Sequence, residues 1–172
     1  MLLFARHGAT DFNVQQKWMG GMDMPLNRDG LLQSRKLADE LSHYKLSKIY
    51  SSPLERARST ALEIQKHNSS APIFIIDDLR ERSLGEFEGL EKSPENYKKM
   101  IRSNSIEPIK NLQQRLEKAL YNIEKDETVL IVSHSAVFRC LINEMGYRSE
   151  PEIDRLENCQ CVRLIPPRKA EL

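Results

Sequence analysis

The sequence predicts an α/β fold, in which a mainly parallel central sheet is flanked by helices on both faces to give a three-layer sandwich. Short apolar runs, typical of strands buried on both faces, recur at Leu2–Ala5, Ile49–Tyr50, Ile73–Ile76 and Val129–Val132. The stretches between them are long enough for helices, and this alternation is typical of parallel sheets. The 172 residues show no linker or internal repeat, so we expect one domain over residues 1–172.

The balance of charge excludes several classes of function. The chain has 26 Lys and Arg residues against 25 Asp and Glu residues, a formal net charge of +1. General binding to nucleic acid or to a membrane surface requires a basic excess that is missing here. The apolar runs are too short to cross a bilayer, and the first strand follows Met1 without a hydrophobic signal segment. We therefore expect a cytoplasmic protein that binds neither nucleic acid nor membranes.

The cysteines predict reduced, partly buried thiols. There are three, Cys140, Cys159 and Cys161, and an odd number leaves no disulfide framework. Cys159 and Cys161 lie two residues apart on one face of a predicted strand, where a bridge between them would be strained. Without a further cysteine pair or a histidine cluster nearby, a zinc site is not expected either.

The first strand ends in Arg6-His7-Gly8, where a guanidinium and an imidazole reach the carboxyl edge of the sheet. Ligands bind at this edge in open α/β folds, and Gly8 frees the backbone to turn sharply. Residues 11–26 have no clear period and are predicted to form a long loop. Trp18 and the methionines of this loop form either an adaptable apolar rim or part of the core. Asn27 then caps the first long helix.

The second strand leads into the clearest helix start of the chain. Ser52 is predicted as the N-cap, Pro53 as the first helical residue and Glu55 as the third, which together form a capping box. This assignment places Arg56 in the first helical turn, close to the carboxyl end of the strand. After the third strand, the segment Asp77–Arg82 concentrates charge where that strand ends.

The second half of the chain predicts two helices, a strand, a third helix and a last strand. Ser93-Pro94 begins a short helix, and a longer amphipathic helix follows with a buried stripe made of Leu112, Leu116, Leu120 and Ile123. The next strand ends in Ser133-His134-Ser135. Val162–Ile165 is predicted to be an edge strand, because Pro166-Pro167 would stop it. Residues 168–172 are expected to fray.

Two predicted strands therefore end in histidine, at His7 and His134, with Arg6 and Arg56 at similar positions. Two imidazoles, two guanidinium groups and a helix N-terminus at one sheet edge would bind a phosphoryl group well. A metal site is the competing explanation for the histidines. The permanent positive charge of the neighbouring arginines disfavours it.

Five segments, which span most of the chain in this order, carry a resemblance to a known family: Arg6–Thr10 with Asn13; Asp23, Pro25 and Leu26; Ser52–Ala57 with Thr60-Ala61; Asp78–Glu81 followed by Gly85 and Phe87–Gly89; and Val132–His134 with Arg139. Together they resemble the histidine phosphatase superfamily, in its phosphoglycerate-mutase-like branch. The resemblance implies the phosphoglycerate-mutase-like α/β fold and phosphoryl chemistry without a metal or other cofactor.

The resemblance also implies roles for individual residues. His7 would be the nucleophile and would form a phosphohistidine, which divides one difficult displacement into two easier ones. Arg6, Arg56 and His134 would bind the phosphoryl oxygens and stabilise the charge that develops in the transition state. Asn13 would add a neutral hydrogen-bond donor to the same site.

Glu81 would be the acid and base of this chemistry. It would protonate the leaving oxygen and then activate the attacking water. Glu86 and Glu88 are rival acids, but the Leu-Arg-Glu context favours Glu81, and a solvated structural role is expected for the other two.

The chain departs from the family pattern in three places. Lys17 and Met19 replace an Arg and a Gln, Ser135-Ala136 replaces a common pair of glycines, and Ile109–Asn111 stands where a G-E-S segment is usual. The phosphoryl chemistry survives these changes, but the substrate cannot be inferred from the family. Sugar phosphates, nucleotide-related phosphates, carboxylated phosphates and phosphohistidine on a protein all stay open, as does the oligomeric state.

The leading hypothesis is therefore a phosphomonoesterase that acts on a small phosphorylated substrate or a phosphoprotein. A mutase of the same family is the first alternative, and a catalytically weak binder of phosphorylated ligands is the second. The interval between Glu81 and His134 is short. We expect so short a cover to leave the pocket open to water, which favours hydrolysis over mutase chemistry.

Overall fold

The sheet of the protein, seen in a computed structural model that describes residues 1–123 and 127–167, has six strands. In chain order they are β1 (Leu2–Arg6), β2 (Lys48–Ser51), β3 (Ile73–Ile75), β4 (Val129–Ser133), β5 (Arg148–Glu150) and β6 (Cys161–Ile165). Their order in the sheet is β3-β2-β4-β1-β6-β5. The first four run parallel to one another, whereas β6 pairs antiparallel with β1, and β5 pairs antiparallel with β6.

Helices cover both faces of this sheet, which confirms the predicted fold class. In chain order they are α1 (Asp11–Val14), α2 (Arg28–Leu41), α3 (Glu55–His67), α4 (Pro94–Ile101), α5 (Ile109–Tyr121) and α6 (Ser135–Asn143). The helices α2 and α3 pack on one face, and α5 and α6 pack on the other. Within the described ranges, no helix is long and apolar enough to span a membrane.

The core is divided by the sheet into two layers, and β1 contributes to both. Leu3 and Ala5 pack with the residues of α2 and α3, whereas Leu2 and Phe4 pack with those of α5 and α6. All five residues of β1 are buried. A parallel strand covered on both faces has no polar side, which explains why the strands appear in the sequence as unbroken apolar runs.

The prediction that Val162–Ile165 forms an edge strand is wrong. Strand β6, which covers the predicted Val162–Ile165, lies inside the sheet between β1 and β5, and the edge is formed by β5. The sequence prediction missed Arg148–Glu150 because this strand is three residues long and carries only polar side chains, of which Ser149 alone is buried. Pro166-Pro167 does follow the end of β6. The expectation for residues 168–172 lies outside the described residues.

The prediction that Ser52 is the N-cap of the helix after β2 is also wrong. Helix α3 begins at Glu55, and its N-cap, Leu54, makes no side-chain cap. Leu54 has extended backbone angles. The Ser52 hydroxyl lies 2.7 Å from Nε2 of His134 and accepts a hydrogen bond from the N–H of Leu54 at 3.3 Å, before the helix begins. The first N–H group of the helix, that of Glu55, donates instead to the carboxylate of Asp23 at 2.6 Å.

Two predicted helix caps are confirmed, whereas the third strand ends at Ile75 rather than at the predicted Ile76. Asn27 caps α2 by accepting a hydrogen bond from the backbone N–H of Gly30 at 2.8 Å, and Ser93 caps α4. The predicted apolar stripe is buried, although its last member, Ile123, follows the end of α5. The predicted loop over residues 11–26 contains the single-turn helix α1, which Thr10 and Asn13 close with a reciprocal capping box.

The three cysteines are free thiols in the structure. Burial raises the pKa of Cys140 and Cys159 to about 11 and that of Cys161 to about 12, so all three are protonated at neutral pH. The prediction that Cys159 belongs to a strand is wrong. It precedes β6 and adopts a φ of 54°.

Candidate active site

The two histidines of the site follow two neighbouring strands. β1 and β4 are parallel with Arg6 opposite Ser133, and the N–H of His7 donates to the carbonyl of Ser133 at 3.1 Å. His7 and His134 are the next residues, so their rings leave the sheet side by side, with centroids 5.2 Å apart. Parallel register alone therefore brings together two residues that are far apart in the sequence.

The third parallel strand supplies a partner for His134. The N–H of Ser52 donates to the carbonyl of Val132 at 3.0 Å, which continues the pairing of β2 with β4 beyond the strand. The hydroxyl of Ser52 then lies 2.7 Å from Nε2 of His134. The other ring nitrogen, Nδ1, is buried without a hydrogen-bond partner among the described residues. A bound ligand could supply the partner for this nitrogen.

The surroundings of His7 decide which of its nitrogens carries the proton. Nδ1 lies 2.7 Å from the carbonyl oxygen of Gly8, which can only accept, so Nδ1 must donate. Nε2 lies 3.3 Å from Nε of Arg56, which can only donate, so Nε2 must present its lone pair. Burial, Arg56 and Arg6 hold the pKa of His7 well below its ordinary value of 6.5. The ring is therefore neutral at pH 7 with a nucleophilic Nε2.

Arg56 links the nucleophile to the loop after α1. Its side chain is fully buried, and its two terminal nitrogens donate to the carbonyls of Met22 at 2.6 Å and Gly20 at 2.9 Å. Burial lowers the pKa of Arg56 to about 10, so it stays charged at neutral pH. Its charge faces the site while its hydrogen bonds fix the loop.

Arg6 and Asn13 lie on the same side of the site as His7. Arg6 is 7% exposed and donates through one terminal nitrogen to the carbonyl of Leu156 at 2.8 Å. Its Nε is buried without a partner in the described part of the chain. The side-chain oxygen of Asn13 accepts from Thr10 N–H at 3.0 Å and from Asn158 at 3.4 Å. Arg6 therefore keeps one donor, its Nε–H, for a ligand.

Gly8 is required here for space rather than for its backbone freedom. Its φ is not in the left-handed region, so no conformation reserved for glycine is used here. A Cβ at this position would meet the backbone of Gly30, in the first turn of α2, and the hydroxyl of Ser34. The loop after His7 and the start of α2 are thus in direct contact.

The carboxylate of Glu81 lines the same cavity as His7. It accepts hydrogen bonds from the N–H of Arg82 at 2.9 Å and, through both oxygens, from the N–H of Ala136 at 3.2 Å. Ala136 belongs to the first turn of α6, where the helix dipole favours a negative charge. Ala136 therefore still donates its backbone N–H, although the family commonly has glycine at this position.

The rival acids have other roles. Glu88 accepts from the N–H groups of Gly21 and Leu84, both at 2.9 Å, and so joins the loop to the segment that follows Glu81. Glu86 accepts from the hydroxyl of Ser103 at 2.6 Å. Neither carboxylate lines the cavity, and both are hydrogen-bonded to neighbouring segments instead.

These groups surround one cavity of about 510 Å³. Of the six residues predicted from the sequence, five line it, and they are Arg6, His7, Asn13, Arg56 and Glu81. The sixth, His134, is fully buried and lies behind the lining, next to His7. Among residues 1–123 and 127–167, no three His, Cys, Asp or Glu side chains are arranged to hold a metal ion.

Five further cations, together called the cationic mouth, line the cavity, and the sequence did not reveal them. They are Lys17, Arg82, Lys92, Arg139 and Arg155. Burial and the nearby Arg6, Arg155 and Arg139 lower the pKa of Lys92, so these cations repel one another in the free protein. Single lysines and arginines in polar segments are usually solvated, and only the fold brings these five together.

Two imidazoles, two buried guanidinium groups and one carboxylate around a cavity at the carboxyl ends of parallel strands define a phosphoryl-transfer site. The sequence profile described as "Histidine phosphatase superfamily (branch 1)" matches residues 2–169. The chain therefore belongs to the histidine phosphatase superfamily, and the resemblance seen in the sequence is confirmed.

Known relatives cover most of the chain. "Uncharacterized phosphatase PhoE" of Bacillus subtilis (strain 168) is 37% identical over 153 residues, which are 86% of this chain and 78% of that protein. "Phosphoglycerate mutase-like protein 4" of Arabidopsis thaliana is 33% identical over 173 residues, 91% of this chain and 74% of that protein. The solved structure of Bacillus stearothermophilus YhfR superposes with a TM-score of 0.75 and 30% identity, covering 82% of this chain and 77% of that one.

Proposed function

We propose that the protein hydrolyses phosphate monoesters through a phosphohistidine formed on Nε2 of His7. The observation that carries this proposal is the neutral imidazole of His7, whose Nε2 lone pair is fixed by its two neighbours inside a cationic cavity. The relative in Bacillus subtilis is named a phosphatase, which supports the same activity.

In the first step Nε2 of His7 attacks the phosphorus, and the bond to the leaving oxygen breaks. Glu81 gives its proton to that oxygen, and the alcohol departs. The positive charge left on the ring is stabilised by the hydrogen bond from Nδ1–H to the carbonyl of Gly8. Arg6 and Arg56 offset the charge of the transferring phosphoryl group, and Nδ1 of His134 is available to bind one of its oxygens.

In the second step water attacks the phosphorus, and the bond from phosphorus to Nε2 breaks. Glu81, now a carboxylate, takes a proton from that water. Inorganic phosphate leaves, and His7 returns to the neutral state with its Nε2 lone pair free. Asn13 lines the cavity beside this path and is assigned a role in substrate binding.

The cationic mouth indicates what kind of ester is accepted. Lys92, Arg139 and Arg155 line the same cavity as the phosphoryl site, and the charges of the two arginines lower the pKa of Lys92 in the free protein. A second anionic group on the substrate, such as a carboxylate or another phosphate, would remove this repulsion. The cavity volume of about 510 Å³ is in the range of sites for small molecules. We therefore assign a small phosphate ester with a second anionic group as the substrate class.

A mutase of the same family is the main alternative, and a relative named mutase-like keeps it open. A mutase must shield its phosphohistidine from water while the intermediate reorients. Here the cover is α4, which buries none of its own side chains, and Tyr97 at the mouth is 48% exposed. Water therefore reaches the site easily, which favours hydrolysis.

The second alternative is a weak binder of phosphorylated ligands. Such a binder would not need the carboxylate of Glu81.

The test uses purified protein and phosphorus NMR with 3-phosphoglycerate. Hydrolysis predicts that inorganic phosphate accumulates, and that the variant His7→Ala forms none. His43→Ala, which changes an exposed histidine, is the matched control and should hydrolyse normally. Conversion of the substrate mainly into 2-phosphoglycerate would establish the mutase instead.

We also propose that residues 1–172 act as one domain in the cytoplasm and need no metal ion. Arg6 and Arg56 provide the positive charge that a metal provides in other phosphatases. Activity should accordingly persist in EDTA, and vanadate, which mimics the transferring phosphoryl group, should inhibit. Activity lost in EDTA and restored by a divalent cation would contradict this proposal.

A further inference from the structure

The segment that carries Glu81 is held by one arginine of α5. Glu81 belongs to no helix or strand, so regular backbone pairing does not fix it. The carbonyl oxygens of Asp78, Arg80 and Glu81 instead all accept hydrogen bonds from the guanidinium of Arg115, at 2.7, 2.7 and 3.2 Å. The segment therefore curls around a single cation.

Glu107 accepts the remaining hydrogen bonds of Arg115. Nε donates to one carboxylate oxygen at 2.7 Å and a terminal nitrogen donates to the other at 2.9 Å. With the three carbonyls, every one of the five N–H groups of the guanidinium has an acceptor. The two side chains are 18% and 17% exposed, so the pair is shielded from most of the solvent.

The same glutamate holds the chain on the far side of Glu81. The carboxylate of Glu107 accepts from the N–H of Ser83 at 3.2 Å, and its own N–H donates to the carbonyl of Ser83 at 3.0 Å. The carbonyl of Glu107 accepts from Nε of Arg82 at 2.7 Å. Residues 78–83 are thus tied down on both sides of Glu81.

We propose that Arg115, anchored by Glu107, is a positioning residue that holds Glu81 where it can protonate the leaving group. Arg115 fixes the backbone of Glu81, while the N–H of Ala136 orients its carboxylate. This inference rests on the proposed function, in which Glu81 is the general acid. Misplacement of an acid by about 1 Å lowers the rate about 100-fold.

The leaving group of the substrate distinguishes positioning from a purely structural role. Protonation matters for an alkyl phosphate, whose alkoxide is a poor leaving group, and matters little for p-nitrophenyl phosphate. Loss of a structural ion pair would reduce the amount of folded enzyme and lower both rates equally. A displaced acid would lower only the alkyl rate of the first step. This step is reported by kcat/KM, which does not include the later step in which Glu81 is the base.

The experiment compares kcat/KM, which reports only the steps up to departure of the leaving group, for glycerol 3-phosphate and p-nitrophenyl phosphate in the variant Arg115→Lys. Lysine keeps the charge, but its single ammonium cannot reach three carbonyls and a carboxylate together. We expect kcat/KM to fall about 10- to 100-fold for the alkyl ester and less than about 3-fold for the aryl ester. Glu107→Gln, which keeps one acceptor oxygen, should show the same selectivity to a smaller extent.

Lys118→Met is the matched control. Lys118 lies on the same helix and pairs with the side chain of Asp78 at 3.4 Å, but it is 75% exposed and binds none of the carbonyls. Both rates should stay within about 2-fold of the parent, because an exposed pair contributes little. Unfolding in denaturant confirms that each variant is folded at the assay temperature.

The variant Glu81→Gln separates failure of this inference from failure of the proposed function. It should lower the alkyl rate selectively, and adding Arg115→Lys to it should cause no further selective loss. Equal losses on both esters in Arg115→Lys, beside a selective Glu81→Gln, would overturn the positioning role alone. A Glu81→Gln variant without selectivity would overturn the acid itself.

Discussion

At the scale of single residues, the chemistry depends on neighbours that can act in only one way. A carbonyl accepts and a guanidinium donates, so Gly8 and Arg56 leave His7 with one neutral tautomer. The sequence predicted the nucleophile from its motif but could not indicate which nitrogen reacts. That choice depends on the side chain of Arg56, which lies on α3, far in the sequence from the strand before His7.

Arg56 itself shows the limit of a motif. The sequence indicated that Arg56 binds the phosphoryl group, and its side chain does line the cavity. Its two terminal nitrogens, however, bind the carbonyls of Gly20 and Met22, and these contacts could not be foreseen because the loop has no periodic pattern. The position of Lys92 could not be foreseen either, because only the pairing of the loop with residues 89–92 brings this lysine to the cavity.

The cations at the mouth give a prediction at this scale. We expect the variant Lys92→Met to raise KM for 3-phosphoglycerate about 10-fold, because a hydrogen bond to a charged group contributes about 1.5–3 kcal/mol. Glycerol 3-phosphate, which has a hydroxymethyl group in place of the carboxylate, is the matched substrate. Its KM should change less than about 2-fold, since it has no second anion to lose.

The control for this comparison is Lys98→Met, which removes an exposed lysine of α4 that does not line the cavity. It should leave both KM values unchanged. A Lys92→Met variant that affects the two substrates equally would show that the mouth does not select for a second anion.

At the scale of elements, the register of three parallel strands builds the site. β1 and β4 end opposite each other, and β2 ends one position earlier in the register. The residues that follow them, His7, His134 and Ser52, meet at one edge of the sheet. The apolar runs predicted these strands, and the parallel arrangement followed from their alternation with helices. The partner of Ser52 was not predictable, because a local capping signal in the sequence competes with a tertiary hydrogen bond to His134.

The start of α3 gives a second prediction. Asp23 accepts a hydrogen bond from the N–H of Glu55 at 2.6 Å, so it caps the helix from a distant loop. The variant Asp23→Ala should lower the free energy of unfolding by about 1 kcal/mol, the usual cost of losing a cap. Denaturant unfolding measures this change.

Asp29→Ala is the matched control, because Asp29 is an exposed acid in the first turn of α2, a helix that Asn27 already caps. It should cost less than Asp23→Ala, since an exposed acid contributes only through the helix dipole. Equal losses in the two variants would mean that Asp23 acts through its charge rather than as a cap.

At the scale of the whole molecule, the fold buries two ionisable rings to build the site. Burial, with the nearby arginines, holds the pKa of His7 and His134 well below 6.5 in the folded state. In the unfolded chain each imidazole regains its ordinary pKa. The architecture that makes His7 a nucleophile therefore has a cost in stability, and that cost depends on pH.

This difference predicts how stability changes with pH. Below about pH 6.5 the unfolded chain binds protons that the folded protein excludes, so the free energy of unfolding decreases as the pH falls. Each histidine contributes a slope of up to about 1.4 kcal/mol per pH unit between its two pKa values. Denaturant unfolding between pH 5 and 7 should show a smaller slope in His7→Asn than in the parent. Identical slopes would contradict the buried neutral state of His7.

The central claim is that the phosphoryl group passes through Nε2 of His7. The most direct measurement mixes the protein with p-nitrophenyl phosphate, quenches within milliseconds at alkaline pH, and locates the phosphoryl group by mass spectrometry of peptides. The Glu81→Gln variant serves best, because an aryl leaving group needs little acid while hydrolysis of the intermediate lacks its base. We predict a burst of about one p-nitrophenol per chain, as expected for a covalent intermediate, with the phosphoryl group on His7. A burst with unmodified His7, or with the phosphoryl group on another residue, would contradict the account.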